Sequence, residues 1–160
     1  MTGPPVSDPL RLADRLALRE LVEDYAHHVD HLELAEVAAL FTPDGLLEIT
    51  NRDGVTAAVE RRGRDAIAAA MEGLRRYGVT AHHLAQQSLR FDPDDPDRAT
   101  AETYCTAHHV RVVDDVPIDR VMMIRYLDTY VRVGSESVDG RWRIEHRRLV
   151  VDLIDEHPIG

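Results

Sequence analysis

The 160-residue chain has no lysine; all 19 of its basic residues are arginine. That excludes Schiff-base catalysis and a phosphate-loop lysine, which both need an ε-amine. A single cysteine, Cys105, excludes an internal disulfide and a cysteine-rich zinc site. No apolar run approaches the ~20 residues of a membrane span. Met1–Asp8 has neither the basic start nor the apolar stretch of a secretion signal, so a cytoplasmic location is expected. Positive charge is also short. The net charge of -10 argues against nucleic acid and against an acidic membrane surface as partners.

What is present suits one packed domain, with 44% hydrophobic and 30% charged residues. Residues 1–8 read as a flexible N-terminus and 9–155 as a single domain. Histidine is abundant, at nine, and six of these form the pairs His27-His28, His82-His83 and His108-His109. Any chemistry is expected to run on His, Asp and Tyr.

Asp8-Pro9 reads as a helix start. Apolar residues at Leu16, Ala17, Leu21, Val22, Tyr25 and Val29 then keep helical spacing. Asp30 and Glu33 resemble a capping box for a second helix over Leu34–Phe41, stopped by the turn residues Thr42-Pro43-Asp44-Gly45. A short strand over Leu46–Thr50, the hairpin signal Asn51-Arg52-Asp53-Gly54 and a return strand over Val55–Arg61 follow. A third helix is predicted over Ala66–Tyr77, then four strands over Val79–Phe91, Ala99–Val113, Val121–Ser135 and Arg141–Asp152. Helices early and strands late predict an α+β fold. A curved, mostly antiparallel sheet would wrap three N-terminal helices and leave a cavity between the layers, where small ligands bind.

Strand alternation sorts the histidines. His83 shares a face with Ala81, Ala85, Gln87, Leu89 and Phe91, the more apolar one, so His83 is expected inside. His109 shares a face with Ala99, Ala101, Thr103, Cys105 and Ala107, whose small side chains suit a cavity wall. His108 stays an alternate, since a bulge would exchange the faces. Tyr25 lies on the apolar stripe of the first helix. Asp30 is either a plain N-cap or a catalytic acid at a bend. His27 and His31, four apart, offer a metal-dependent alternative only if the helix continues through Asp30. No third ligand is evident for them, and no metal and no cofactor is expected. Apolar residues on the outer face of the sheet, Val121, Met123, Leu127 and Val131 or their alternates, predict a homodimer.

Several stretches together resemble the SnoaL-like family of the nuclear transport factor 2-like superfamily. They are Leu21–Asp30, Ala39–Gly45, Gly63-Arg64-Asp65-Ala66-Ile67, Thr80-Ala81-His82-His83-Leu84, Ala101–His109 and Gly140-Arg141-Trp142-Arg143-Ile144. That superfamily includes scytalone dehydratase, ketosteroid isomerase and bile acid 7-alpha-dehydratase. The resemblance implies a cone-shaped α+β barrel and a catalytic set of Tyr25, Asp30 and His83, with His109 as a second histidine. It implies substrate-binding roles for Arg147, with Arg148 the neighbouring alternate, and for His108; Gln87 joins them from the His83 face. The implied activity is a cofactor-independent dehydratase acting on a polycyclic, polyketide- or steroid-like carbonyl compound. An isomerase or cyclase, or a non-catalytic small-molecule-binding or dioxygenase small-subunit-like domain, are the alternatives. A small-molecule substrate and a second copy of the chain are the expected partners.

Overall fold

The computed structural model describes residues 9–52, 59–134 and 141–160. In chain order it holds α1 (Pro9–Asp30), α2 (Leu34–Ala39), β1 (Phe41–Asn51), β2 (Val59–Arg62) and α3 (Arg64–Met71), which tightens into a 3-10 turn over Glu72–Arg76. Then come β3 (Val79–Phe91), β4 (Arg98–Val113), β5 (Val116–Val133) and β6 (Arg141–Pro158). The six strands form one curved sheet in the order β2-β1-β6-β5-β4-β3, antiparallel except where β1 runs beside β6. This is the expected α+β architecture. Among the described residues no helix is long and apolar enough to cross a membrane.

Helix α1 lies against the sheet through Leu18, Leu21, Val22, Tyr25, Ala26 and Val29, all buried. Those positions recur every three or four residues, so one face of the cylinder is apolar. Near its start, Asp14 accepts hydrogen bonds from Arg132 of β5 and from the Trp142 indole of β6. The helix does not stop before Asp30. It closes with a Schellman motif: Glu33 N–H donates to His28 O (2.9 Å) and Leu32 N–H to Val29 O (3.1 Å). Leu32 takes the left-handed position at φ 57°, a place usually given to glycine.

The predicted Asp30/Glu33 capping box is therefore absent. Glu33 occupies the N-cap position of α2 without a side-chain capping bond, and the Asp30 carboxylate is used elsewhere. Thr42–Gly45 is also not a free turn. It lies inside β1, where the pairing with β6 shifts register between Phe41 and Leu46. Gly45 is required there, because a Cβ would stand 2.9 Å from the Phe41 Cβ. The β4–β5 hairpin turns on Asp114 and Asp115, both with positive φ (49° and 63°), as a type I′ turn demands. Asp53-Gly54, residues 55–58 of the predicted return strand and Asp139-Gly140 lie outside the described residues.

Three bulges decide which side chains face the helices. One extra β3 residue stands between Leu84 and Gln87, and β6 carries extra residues near Glu145 and Asp152. Each reverses the inward parity of its strand. The helix-facing side of β4 stays small, with Ala99, Ala101, Thr103, Cys105 and Ala107 all buried. The outer face carries Arg125 between Glu102 and Asp152, and half-exposed Met123 opposite Leu153.

One charged pair lies fully inside. Arg147 of β6, 0% exposed, makes a two-pronged contact with Asp128 of β5: Nε to Oδ1 at 2.8 Å and Nη2 to Oδ2 at 2.7 Å. Tyr130 donates its hydroxyl to Asp128 Oδ2 at 2.6 Å. The guanidinium is sandwiched between the rings of Tyr25 (4.0 Å) and Tyr126 (4.1 Å). Asp128→Ala, which strands a buried cation, should lower stability by about 3–5 kcal/mol. Asp128→Leu combined with Arg147→Met should cost clearly less than Asp128→Ala. Urea unfolding midpoints read both, and an Asp128→Ala midpoint near that of the parent would overturn the assignment.

Candidate active site

The end of α1 delivers Asp30 to β3. Its Oδ2 accepts the backbone N–H of His82 at 2.9 Å, and its Oδ1 lies 2.6 Å from His82 Nδ1. The carboxylate thus grips one residue by both main chain and ring. A carboxylate at a helix C-terminus is disfavoured by the helix dipole, so this position calls for donors. Burial alone would raise the Asp30 pKa. The His82 ring and N–H, with Thr80, outweigh it and hold the carboxyl below its ordinary value. Ionised Asp30 only accepts, so Nδ1 of His82 carries a proton and Nε2 is the ring nitrogen turned away from Asp30.

This corrects the expectation that His83 faces Asp30. Up to Leu84 the inward residues of β3 are even-numbered: His82 pairs with buried Ala107 and Leu84 with Cys105. After the bulge they are odd-numbered, and Gln87, Leu89 and Phe91 pair with Thr103, Ala101 and Ala99. The apolar face of that second half does not continue back to His83, because the bulge lies between them. His83 is exposed instead, edge-on to His108 at 5.6 Å. His108 also departs from its expected substrate-binding place. It lies on the outer face with Nδ1 2.6 Å from Asp119 Oδ2.

The other candidates lie inside. His109 is buried, its ring 5.5 Å from His82 and 4.9 Å from Tyr77. Burial, with His82 and Arg120 nearby, pushes its imidazole down to about 4, so it is neutral at neutral pH. Tyr25 is buried against Phe41 and Tyr126. Burial raises its phenol above the ordinary value, partly offset by Arg147, which keeps it a donor. Arg148 is exposed and reaches Glu48. Cys105 is buried between these groups, its thiol pushed up to about 11 by burial, which leaves no thiolate for nucleophilic attack.

Cross-strand rows order this interior. Moving along β4, His82 stands beside Ala107, Leu84 beside Cys105, Gln87 beside Thr103, and Asp128 beside Ala101. Same-face rows are about 6.6–6.8 Å apart, so the His82 row and the Asp128–Arg147 row are separated by roughly 20 Å along the strands. The Arg147 guanidinium bridges part of that distance by reaching over Tyr126. Five buried side-chain atoms on this face have no hydrogen-bond partner among the described residues: Gln87 Nε2, Thr103 Oγ1, His109 Nδ1, Tyr126 OH and Arg147 Nη1. Buried polar groups are normally satisfied, so five orphans on one interior face mark a place for a polar ligand or water.

Thr103, Tyr126, Asp128 and Tyr130 were missed as site residues. The signal was present in Tyr126-Leu127-Asp128-Thr129-Tyr130, where alternation sends an acid inward between two phenols and so demands a buried cation.

Burial of His109 couples stability to pH. Folded His109 protonates near 4, while the unfolded chain protonates near 6.5. Between these values the unfolded state binds more protons, so stability falls as pH drops from 6.5 toward 4. Asp30 adds its own loss only lower, below its ordinary 3.8. Thermal midpoints should fall through the upper window, and His109→Gln should flatten that fall. An unchanged slope in the variant would assign it to other groups.

No curated protein matches the chain by sequence. Solved structures do match over nearly the whole length. A scytalone dehydratase-like protein of Novosphingobium aromaticivorans shares 26% identity at a TM-score of 0.73, covering 94% of this chain and 92% of that one. The hexachlorocyclohexane dehydrochlorinase LinA-type3 of Novosphingobium barchaimii shares 18% at 0.74, covering 96% and 95%. A ring-hydroxylating dioxygenase beta subunit of N. aromaticivorans shares 18% at 0.73, covering 91% and 94%. The likenesses at 18% speak for the fold alone. The model of the SnoaL-like domain matches residues 10–148, a span that takes in the Asp30–His82 pair and Arg147 together. The chain belongs to the SnoaL-like domain family.

Proposed function

We propose that this protein is a cofactor-independent dehydratase acting on a polycyclic, polyketide- or steroid-like carbonyl compound, with His82 as its base. The observation that carries the reading is the Asp30–His82 pair, with one imidazole nitrogen held and the other free among the described residues. His82 Nε2 takes the proton from the carbon next to the carbonyl. The C–H electron pair moves toward the carbonyl oxygen. Asp30 stabilises the imidazolium that forms. Tyr25 donates a hydrogen bond to that oxygen, assisted by the free Nη1 of Arg147. The electron pair then returns to form the new double bond as the hydroxyl group leaves with the proton from His82, giving water. His109, neutral, hydrogen-bonds the departing oxygen. Gln87 and Arg147 orient the substrate. The likeness to a scytalone dehydratase-like protein, eliminating in name, supports the reaction type.

Isomerisation uses the same proton shuttle without loss of a hydroxyl. The orphaned polar atoms on the inner face would serve binding equally, which supports a non-catalytic reading. A panel of polycyclic β-hydroxy ketones, followed by enone absorbance and loss of water in the mass spectrum, separates these. His82→Ala and Asp30→Asn should each lower turnover by about 10²–10⁴-fold. The double variant should lose little more, since the two act as one unit. His83→Ala should stay within about twofold, because its ring lies on the other face. Turnover that survives His82→Ala would sink this mechanism, and binding without turnover would favour the non-catalytic reading.

The same reading includes a homodimer through the outer face, where Met123 and Leu153 pair at 51% and 54% exposure. Light scattering at micromolar concentration should give the dimer mass; a monomer mass would overturn it.

A further inference from the structure

The C-terminal turn of α1 carries a second group of titratable side chains, separate from the buried site. One ligand atom each from His27, His28 and Glu33 lies within 4.8 Å of the others. Among the described residues this is the one place where three such atoms converge. We propose that His27, His28 and Glu33 bind a divalent transition-metal ion of the Zn2+ class, with His31 as a positioning residue.

The geometry needs little change. Tetrahedral Zn2+ with bonds of about 2.0–2.1 Å sets its ligand atoms about 3.3 Å apart, so shifts of under about 1 Å per side chain close the set. His28 Nδ1 and Glu33 Oε2 already stand 2.6 Å apart and share a proton. Zn2+ takes the place of that proton: a neutral ring carries its proton on Nε2 instead, and only a doubly protonated ring releases one to solvent. Glu33 reaches back to His28 because the Schellman turn reverses the chain at Leu32.

His31 supports the set without being needed as a ligand. Its ring stacks on His27 at 4.1 Å between centroids, with a tilt of 30°. Its Nδ1 donates to the His27 carbonyl oxygen at 2.8 Å. The carbonyls of the last helical turn give this end partial negative charge, which favours a cation and disfavours an anion. Two imidazoles and a carboxylate, without a thiolate, suit Zn2+ over Mg2+ or Ca2+. The spacing of His27 and His31 hints at a metal in the sequence. The third ligand was hidden because it comes from beyond the helix end.

Titration calorimetry of the full chain with zinc chloride, in a non-coordinating buffer at neutral pH, tests this. One ion per chain should bind, with proton release that grows as pH is lowered toward the imidazole range. His27→Ala and Glu33→Gln should each weaken binding by about tenfold or more, and His31→Ala by less. His157→Ala, at an exposed histidine paired with Asp155, should leave affinity unchanged. Circular dichroism shows that each variant keeps its fold. Absence of saturable binding up to about 1 mM, or equal affinity in folded His27→Ala and Glu33→Gln, would overturn the proposal.

Discussion

A guanidinium and a carboxylate without access to water hold the two central strands and the first helix in one arrangement. Arg147 and Asp128 meet across β5 and β6, and the rings of Tyr25 and Tyr126 close over the cation. Each partner alone would be expensive to bury, so neither strand can slip without stranding a charge. The two-pronged pair fits one alignment of the two strands. It selects the β5–β6 register, and that register requires the extra residue near Glu145 that turns Arg147 inward. Tyr25 then has one seat on the sheet. Asp30, just over one helical turn later, is carried to the start of β3.

Around that frame the inner face divides its work. Small buried side chains line β4 on that face, while His82, His109, Gln87, Thr103 and Arg147 contribute polar atoms to it. The His82 ring is oriented by a carboxylate that also holds its backbone, so its position is fixed before any ligand arrives. Pre-organisation of this kind is what a proton-transferring site needs, because little rearrangement remains for the reaction itself. The adjacent histidines behave differently. His83 and His108 form a second group on the outer face, with Asp119 in the place that Asp30 takes inside. The two groups are back to back because neighbouring residues of a strand point to opposite sides.

The SnoaL-like fold supports several chemistries, so the site and not the fold must carry the functional argument. Here the site consists of a histidine held by a carboxylate, phenols kept protonated by burial, and an arginine whose Nη1 has no partner among the described residues. These residues suit removal of a carbon-bound proton beside a group that accumulates negative charge.

The sequence by itself determined the element order, the span of β3 from Val79 to Phe91, the apolar stripe of α1 and the inward turn of Tyr25, His109 and Gln87. Each follows from local periodicity or turn chemistry, which neighbouring residues suffice to specify. It also named Asp30 and one histidine of the His82-His83 pair. Only the tertiary structure decided which histidine. A single inserted residue after Leu84 reverses strand parity, and its position is set by pairing with β4, a segment about twenty residues away in the chain. The same cause placed Arg147 inside and Arg148 outside. Helix α1 ran on through Asp30 because the His82 donors, distant in sequence, compensated the carboxylate at a helix end where local preference would have made it a cap.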